Sequence, residues 1–249
     1  MSLLQTTITG RALRTSHSQV VSVLGQEIVS GIFAEHAILP GDAELSARFG
    51  VSRTVLREAM KTLSAKRLIE PKAKVGTRVL ERSEWNLFDA DVLGWRFLGG
   101  VDETFIDDLA EIRLALEPAA AAMAARRASS EDIAHLREIA DRFYDPLHTR
   151  ESIARVDLEF HVAVLQLSAN PFMRSIGALI EAALSVTFRL SSPAASPQHI
   201  TECAVNHMRI VNAIAARDEA GARSAMENVI HLGAERTRVA LHNIETAQA

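Results

Sequence analysis

Asp157 and His161 stand four residues apart in the segment RVDLEFHVAVL, residues 155–165, which is otherwise mostly apolar. With about 100° of rotation per helical residue, Asp157 lies opposite Arg155 among apolar side chains, and His161 follows one turn later on the same face. A buried carboxylate without a partner is costly or takes up a proton. The two side chains therefore form either a hydrogen-bonded pair within a core or half of a metal site.

The composition is that of a globular protein that can build a sizeable core. The chain has 249 residues, of which 48% are hydrophobic and 23% charged, and this length fits one or two domains. The single cysteine, Cys203, excludes an intrachain disulfide and a zinc cluster built on cysteines. The sequence contains neither an apolar run long enough to span a bilayer nor a signal-peptide core, so we expect a cytoplasmic protein without a membrane partner.

The charge is distributed unevenly along the chain. The net charge is −4, but residues 1–80 carry 11 basic against 6 acidic side chains. All four lysines lie in this part, and residues 52–78 alone carry 8 basic against 2 acidic side chains. A basic region on an otherwise acidic protein indicates a polyanionic partner.

The basic region has the pattern of a winged helix-turn-helix. Two helices are joined through FGVS, residues 49–52; we predict Asp42 as the N-cap of the first helix and Gly50 as its end. The second helix of such a motif enters the major groove with its N-terminal residues, and a following β-hairpin forms a basic wing. A short helix-turn-helix also occurs in proteins that bind no DNA, but the basic wing favours DNA. The predicted DNA-binding residues are Ser52, Arg53, Thr54, Arg57, Lys72, Lys74 and Gly76.

The rest of the chain is predicted to be almost entirely helical. Alanine is frequent, β-branched clusters are few, and SS, DP, NP, SSPAASP and RD punctuate the helices, which predicts an all-α antiparallel bundle. The predicted helices cover about 102–128, 130–147, 151–168, 171–191, 198–216 and 218–243. The fold class is thus mainly α, with a DNA-binding domain at 1–80, a linker with one short helix at 81–100, and a helical domain at 101–249.

The segment ILPGDAELSARFGVSRTVLREAMKTLSAKRLIEPKAKVGTRV, residues 38–79, resembles the winged helix of GntR-family transcription regulators. The helical remainder resembles the FCD-type effector domain of the FadR subfamily. Where the family commonly reads LPSEREL, this chain has Gly41, Asp42 and Ala43, so an arginine often used on DNA is missing. Arg67 stands where members tend to carry glycine, which predicts a strain of about 1 kcal/mol if its backbone is left-handed.

The resemblance also implies a metal site. FadR-type domains often hold a divalent metal ion between an Asp-x-x-x-His helix and histidines of the last two helices. Asp157 and His161 match the first part; His207 matches the second and shares an inward face with apolar neighbours. The position of the fourth ligand is Val229, and we expect His231 to lie at the surface or outside the ligand shell. The predicted ligands are therefore Asp157, His161 and His207, and zinc, nickel and manganese are all chemically admissible.

Arg113 matches the arginine that in this subfamily reaches into the effector pocket, where a guanidinium binds a carboxylate with two hydrogen bonds. An equally good interpretation from the residues alone pairs Arg113 with Glu117, four residues later, on an exposed helix face. The linker EWNLFDADVLGW, residues 84–95, resembles that of regulators of sugar-acid catabolism. The implied effector is a small carboxylate such as an aldonic sugar acid.

These features together predict a metabolite-responsive transcriptional regulator, a repressor released by its effector, rather than an enzyme. We expect a homodimer on a palindromic double-stranded operator, because one recognition helix covers only a half-site. One alternative is a metal-dependent enzyme with two histidines and a carboxylate, although no general base stands beside the ligands. Another is a dimeric helical scaffold whose N-terminal domain binds protein.

Overall fold

The computed structural model describes residues 15–100 and 102–248, and in this part of the chain these two ranges form two compact units. The fold is mainly α with a small two-stranded sheet, as predicted. The first unit contains α1 (Ser16–Val29), α2 (Asp42–Phe49), α3 (Arg53–Ala65), β1 (Ile69–Lys72), β2 (Gly76–Val79) and α4 (Ala90–Leu98). The second contains α5 (Glu103–Arg127), α6 (Ser130–Asp141), α7 (Arg150–Leu167), α8 (Pro171–Ser175), α9 (Gly177–Leu190), α10 (Pro197–Ala215) and α11 (Glu219–Gln248).

The helix ends of the first unit follow local capping chemistry. α2 begins after Gly41, which makes no side-chain cap, and Asp42 is its first helical residue. The prediction of Asp42 as the N-cap is therefore wrong by one position, although its charge still lies at the positive end of the helix dipole. Gly50 ends α2 in the left-handed conformation, as predicted. Ser52 caps α3, and its Oγ accepts a hydrogen bond from the Val55 amide at 3.3 Å.

The wing is an antiparallel hairpin that is extended by a preceding segment. Ile69 pairs with Val79 and Lys72 with Gly76. Ile38 forms an additional bridge with Arg78, which the sequence pattern did not predict. Gly76 has a φ of 123°, and a Cβ there would come within 3.0 Å of the Ile38 side chain. Glycine is therefore required by both the backbone and the close approach.

The segment predicted as a linker, residues 81–100, packs against the first unit. The indole rings of Trp85 and Trp95 belong to its buried core. Lys66, at the end of α3, places its Nζ 2.8 Å from Asp89 Oδ1 and 2.7 Å from Asp91 Oδ2. These contacts tie the start of α4 to the end of α3, and α4 packs against α1. Domain boundaries at residues 80 and 100 stay a prediction.

The second unit is the predicted helical bundle. α5, 25 residues long, packs against α7, α10 and α11. Thr149 begins α7 with a capping box, and the buried residues of α7 include Ile153, Phe160 and Val164. One predicted helix, 171–191, is split into α8 and α9 at Ile176. No helix within the described ranges combines the length and hydropathy that a membrane span requires.

Candidate DNA interface and metal-binding site

The orientation of α3 is set by its apolar face. Leu56, Ala59 and Leu63 are buried in the core of the first unit. Arg53 and Arg57 lie on the outward side and are exposed. Two guanidinium groups one turn apart at an exposed helix N-terminus are suited to base edges or phosphates.

The other predicted DNA-contacting residues also lie at the surface of this unit. Ser52 and Thr54 are exposed at the start of α3, and Lys72, Lys74 and Gly76 are exposed at the tip of the hairpin. Lys72 Nζ lies 3.2 Å from Glu70 Oε1, so part of the positive charge of the wing is balanced within the hairpin.

Arg67 adopts the backbone conformation expected of the glycine it replaces. Its φ is 62°, which places it in the left-handed region directly after α3. A residue with a Cβ is strained there by about 1 kcal/mol or more. Its side chain forms an ion pair with Glu84, with Nη2 2.6 Å from Oε2, so the strained position also ties α3 to the segment after the wing.

In the second unit, Asp157 lies between the two predicted histidines. Its Oδ1 is 3.1 Å from His207 Nε2, and its Oδ2 is 3.7 Å from His161 Nε2. All three residues are buried. α7 supplies Asp157 and His161, one turn apart, and α10 supplies His207. The fold thus brings together the three residues that were predicted as metal ligands.

The outer nitrogen of each imidazole ring is already occupied. Nδ1 of His161 contacts the Glu117 carboxylate, and Nδ1 of His207 donates to the carbonyl oxygen of Cys203 at 2.8 Å. Phe143 stacks on the His207 ring at 4.2 Å between centroids. Partners on Nδ1 and a stacked ring fix the direction in which each Nε2 points.

Neither Nε2 atom makes a well-aligned hydrogen bond within the described residues, although both face the Asp157 carboxylate at 3.1 and 3.7 Å. Buried polar atoms normally have partners, and an unpaired one in a polar cluster indicates an ion or water. Two imidazole nitrogens and a carboxylate that converge in this way fit a divalent transition-metal ion. The donor set would hold such an ion through Asp157, His161 and His207.

The electrostatics of the cluster are strongly coupled. Burial opposes ionisation of Asp157, but the neighbouring imidazole of His161 and the contact with His207 outweigh it and lower the Asp157 pKa to about 2. Burial likewise disfavours the charged form of His207, but its interactions with Cys203 and Asp157 raise its pKa to about 10. The carboxylate is therefore ready to bind a cation, whereas His207 holds a proton that a metal ion must displace.

Cys203 is a fourth chemically competent side chain in this cluster. It is buried, and its Sγ lies 3.6 Å from His207 Nδ1. Asp157, Cys203 and His207 each offer a ligand atom, and these atoms lie within 4.8 Å of one another. This group shares Asp157 and His207 with the predicted ligands but has Cys203 in place of His161, and within the described residues it is the group of three whose ligand atoms come this close together.

Arg113 is buried and is paired with Glu117. Its Nε donates to Glu117 Oε1 at 2.5 Å, and both side chains are at most 6% exposed. The pairing matches one of the two interpretations from the sequence, but its expected exposed helix face is wrong. Arg113 also borders a small cavity of about 20 Å³ that is partly open to solvent. The lining residues are Ile106, Leu109, Ala110, Arg113, Ala183, Thr187, Ile230, Ala234 and Thr237.

Comparison with known proteins matches the two units to two separate families of domains. The model of the bacterial regulatory proteins of the gntR family matches residues 16–79, and that of the FCD domain matches residues 108–232. The galactonate operon transcriptional repressor of Escherichia coli (strain K12) is 34% identical over 215 residues, which cover 85% of this chain and 92% of the repressor. The chain belongs to the gntR family.

Other relatives and structures support the same family. The uncharacterized HTH-type transcriptional regulator YieP of Escherichia coli (strain K12) is 36% identical over 66% of this chain and 73% of its own length. The solved structure of Lar, which controls the agr system of Listeria monocytogenes, covers 92% of this chain and 99% of that chain with a TM-score of 0.62 at 18% identity, and supports the fold alone. As a gntR-family member with an FCD domain, the protein is a metabolite-responsive DNA-binding regulator and not an enzyme.

Two residues of the FCD-domain site were not predicted as part of it, since the sequence indicated Glu117 only as an exposed partner of Arg113. Glu117 follows Arg113 on the face that also carries the buried Ala110 and Ala120, so helical spacing was the available signal. Cys203 likewise precedes the inward-facing His207 by one turn.

His231, by contrast, is exposed on α11, as expected from its position. Val229 is half-buried and brings no ligand atom to the cluster. The fourth histidine of the family pattern therefore has no counterpart at either position.

Proposed function

We propose that the protein is a homodimeric repressor that leaves its palindromic operator when a small carboxylate, of the aldonic sugar-acid class, binds the FCD domain. The observation that carries this proposal is the position of Arg113. This buried cation borders the cavity and is linked through Glu117 to the cluster of Asp157, His161 and His207. The name of the related galactonate operon repressor supports the effector class.

On DNA, the N-terminal turn of α3 enters the major groove, where Arg53 and Arg57 contact base edges or phosphates. Ser52 and Thr54 bind phosphate through hydroxyl groups and helix-terminal amides. The wing places Lys72, Lys74 and the Gly76 backbone near the adjacent groove. Two copies are required because one such unit reads only a half-site.

The FCD domain holds a divalent cation through Asp157, His161 and His207. Zinc, nickel and manganese remain the candidate ions, and the nitrogen-rich set favours the first two. When bound, the ion supplies a Lewis-acidic anchor for an oxygen of the effector. Arg113 binds the effector carboxylate, and the hydroxyl groups of Thr187 and Thr237, which line the same cavity, accept hydrogen bonds from the polyol.

Fluorescence anisotropy with DNA from the protein's own promoter tests this function. We expect tight binding at low salt, with the logarithm of the affinity falling by about 0.9 per phosphate contact for each log unit of salt. D-galactonate and related aldonates should weaken binding, and prior chelation should abolish their effect. Absence of binding at low salt contradicts the regulator; binding that no sugar acid changes contradicts the effector class.

The second donor set, in which Cys203 replaces His161, gives a different optical signature. Cobalt(II) bound to a thiolate has an intense near-ultraviolet charge-transfer band, which a site made of nitrogen and oxygen lacks. We expect cobalt to bind without that band, because Nδ1 of His207 is already donated to a carbonyl oxygen and Nε2 faces Asp157. A band that disappears in Cys203→Ser would assign the metal to the second set.

A further inference from the structure

Glu117 is a buried carboxylate that contacts both ligand-binding regions. Its Oε1 accepts a hydrogen bond from Arg113 Nε at 2.5 Å, and its Oε2 contacts His161 Nδ1. The side chain is 1% exposed. Arg113 borders the cavity on one side of Glu117, and His161 faces Asp157 on the other.

Towards His161, Glu117 acts as the acceptor that selects the tautomer. An acceptor at Nδ1 requires the proton on that nitrogen, so the lone pair of the neutral ring is on Nε2, the atom without a hydrogen-bond partner in the described chain. A carboxylate on the outer nitrogen also makes the imidazole a stronger donor to a metal ion.

Towards the cavity, Glu117 competes with any incoming anion for Arg113. While the Arg113 guanidinium binds Glu117, it neutralises part of the carboxylate charge, so the carboxylate interacts less strongly with His161. When an anion binds the guanidinium instead, the full charge of the Glu117 carboxylate acts on His161. The same carboxylate therefore responds to cavity occupancy and acts on the metal ligand.

We propose that Glu117 is a positioning residue that couples the cavity to the metal site, so that an anion bound to Arg113 strengthens metal binding at His161. Because coupling between two binding sites is reciprocal, the bound metal strengthens binding of the anion by the same factor. This proposal rests on the proposed function and adds a physical link between its two ligands.

A double-mutant cycle with zinc alone tests the coupling in the full-length chain. The variants are Glu117→Gln, Arg113→Met and both together, with Glu111→Gln, an exposed position on α5, as the matched control. Zinc affinity is measured by competition with a chromophoric chelator, after circular dichroism has shown that each variant is folded.

Glu117→Gln should weaken zinc binding by about 10- to 100-fold. Arg113→Met, which imitates removal of the guanidinium by an anion, should tighten zinc binding about fivefold or more. In the Glu117→Gln background the same change should have no effect, and Glu111→Gln should match the unaltered protein. If Glu117 only supported the fold, the change in zinc affinity caused by Arg113→Met would be the same with and without Glu117.

The proposal is overturned if Glu117→Gln binds zinc as tightly as the unaltered protein, or if Arg113→Met acts equally in both backgrounds. Arg113→Met leaves Glu117 as an unpaired buried charge, and this variant will not be usable if it does not fold. Arg113→Lys then takes its place, because lysine keeps the charge and loses the Nε donor. Its effect on zinc affinity should be smaller and of the same sign. Lack of zinc uptake by the unaltered protein overturns the metal site as well, whereas DNA binding then still tests the regulator.

Discussion

His207 Nε2 lies 3.1 Å from Asp157 Oδ1, although the two residues belong to helices that α8 and α9 separate along the chain. The contact joins α10 to α7 within the core of the FCD domain. Phe143 stacks on the same imidazole from a third direction. The position of His207 is therefore set by the bundle rather than by its own helix.

Removal of His207 should abolish tight metal binding. We expect His207→Ala to lose most of its zinc, because the remaining set of Asp157 and His161 leaves two protein ligands where structural and catalytic zinc sites use three or four. Elemental analysis after gel filtration measures the content. His231→Ala, on an exposed histidine of the same domain, should keep the zinc content of the unaltered protein. Equal zinc content in both variants would contradict the site.

Metal binding should strengthen as pH rises. The raised pKa of His207, about 10, means that the ring keeps its proton through neutral pH. Zinc must displace that proton, so the affinity should rise by up to about tenfold per pH unit for each displaced proton. Calorimetry in two buffers of different ionisation enthalpy measures proton release directly. Zinc binding without proton release would show that His207 is not a ligand or is already neutral.

Arg53 should contribute to sequence recognition by the regulator. Arg53→Ala is expected to cost about 1 to 3 kcal/mol of operator binding and to relax specificity at one base pair. Lys74→Ala should instead weaken binding to all sequences and reduce the salt slope by about 1. Arg82→Ala, after the wing, is the control. If Arg53→Ala weakened operator and unrelated DNA equally, Arg53 would contact phosphate instead of a base.

Because the backbone at Arg67 is left-handed, glycine at this position should give a more stable protein than alanine. Arg67→Gly and Arg67→Ala both remove the ion pair with Glu84, so their difference isolates the backbone conformation. We expect the glycine variant to have the larger free energy of unfolding, by about 1 kcal/mol. Denaturant unfolding followed by tryptophan fluorescence measures it, because Trp85 and Trp95 both lie in the first unit. Equal stability of the two variants would rule out strain at this position.

Gly25 should tolerate no side chain. A Cβ at this position would lie between 2.3 and 2.6 Å from three ring atoms of Trp95. Although alanine is the better helix former, overpacking should dominate, and Gly25→Ala is expected to lower the free energy of unfolding by about 1 to 3 kcal/mol. Gly41→Ala, where a Cβ would have no neighbour within 4 Å, is the comparison. An unchanged free energy of unfolding in Gly25→Ala would show that α4 moves easily away from α1.

Most of the local structure could be predicted because it depends on neighbouring residues. Apolar spacing located most helices to within a few residues; the exceptions are the predicted helix 130–147, which ends at Asp141, and the long helix that breaks at Ile176. Gly50 ended its helix as predicted, since a left-handed residue at a helix end acts within one turn. The missed bridge between Ile38 and Arg78 joins segments distant in sequence, which local periodicity does not report.

The inward orientation of Asp157, His161 and His207 was likewise determined by the sequence, because helical spacing places each on an apolar face. What lies opposite each of them was decided only by the tertiary structure. Packing of α5 against α7 brought Glu117 to His161 and buried its pairing with Arg113, and the position of α10 placed His207 against Asp157. Periodicity defines a face, but the distances that make a site arise when faces of separate helices meet in a core that excludes water.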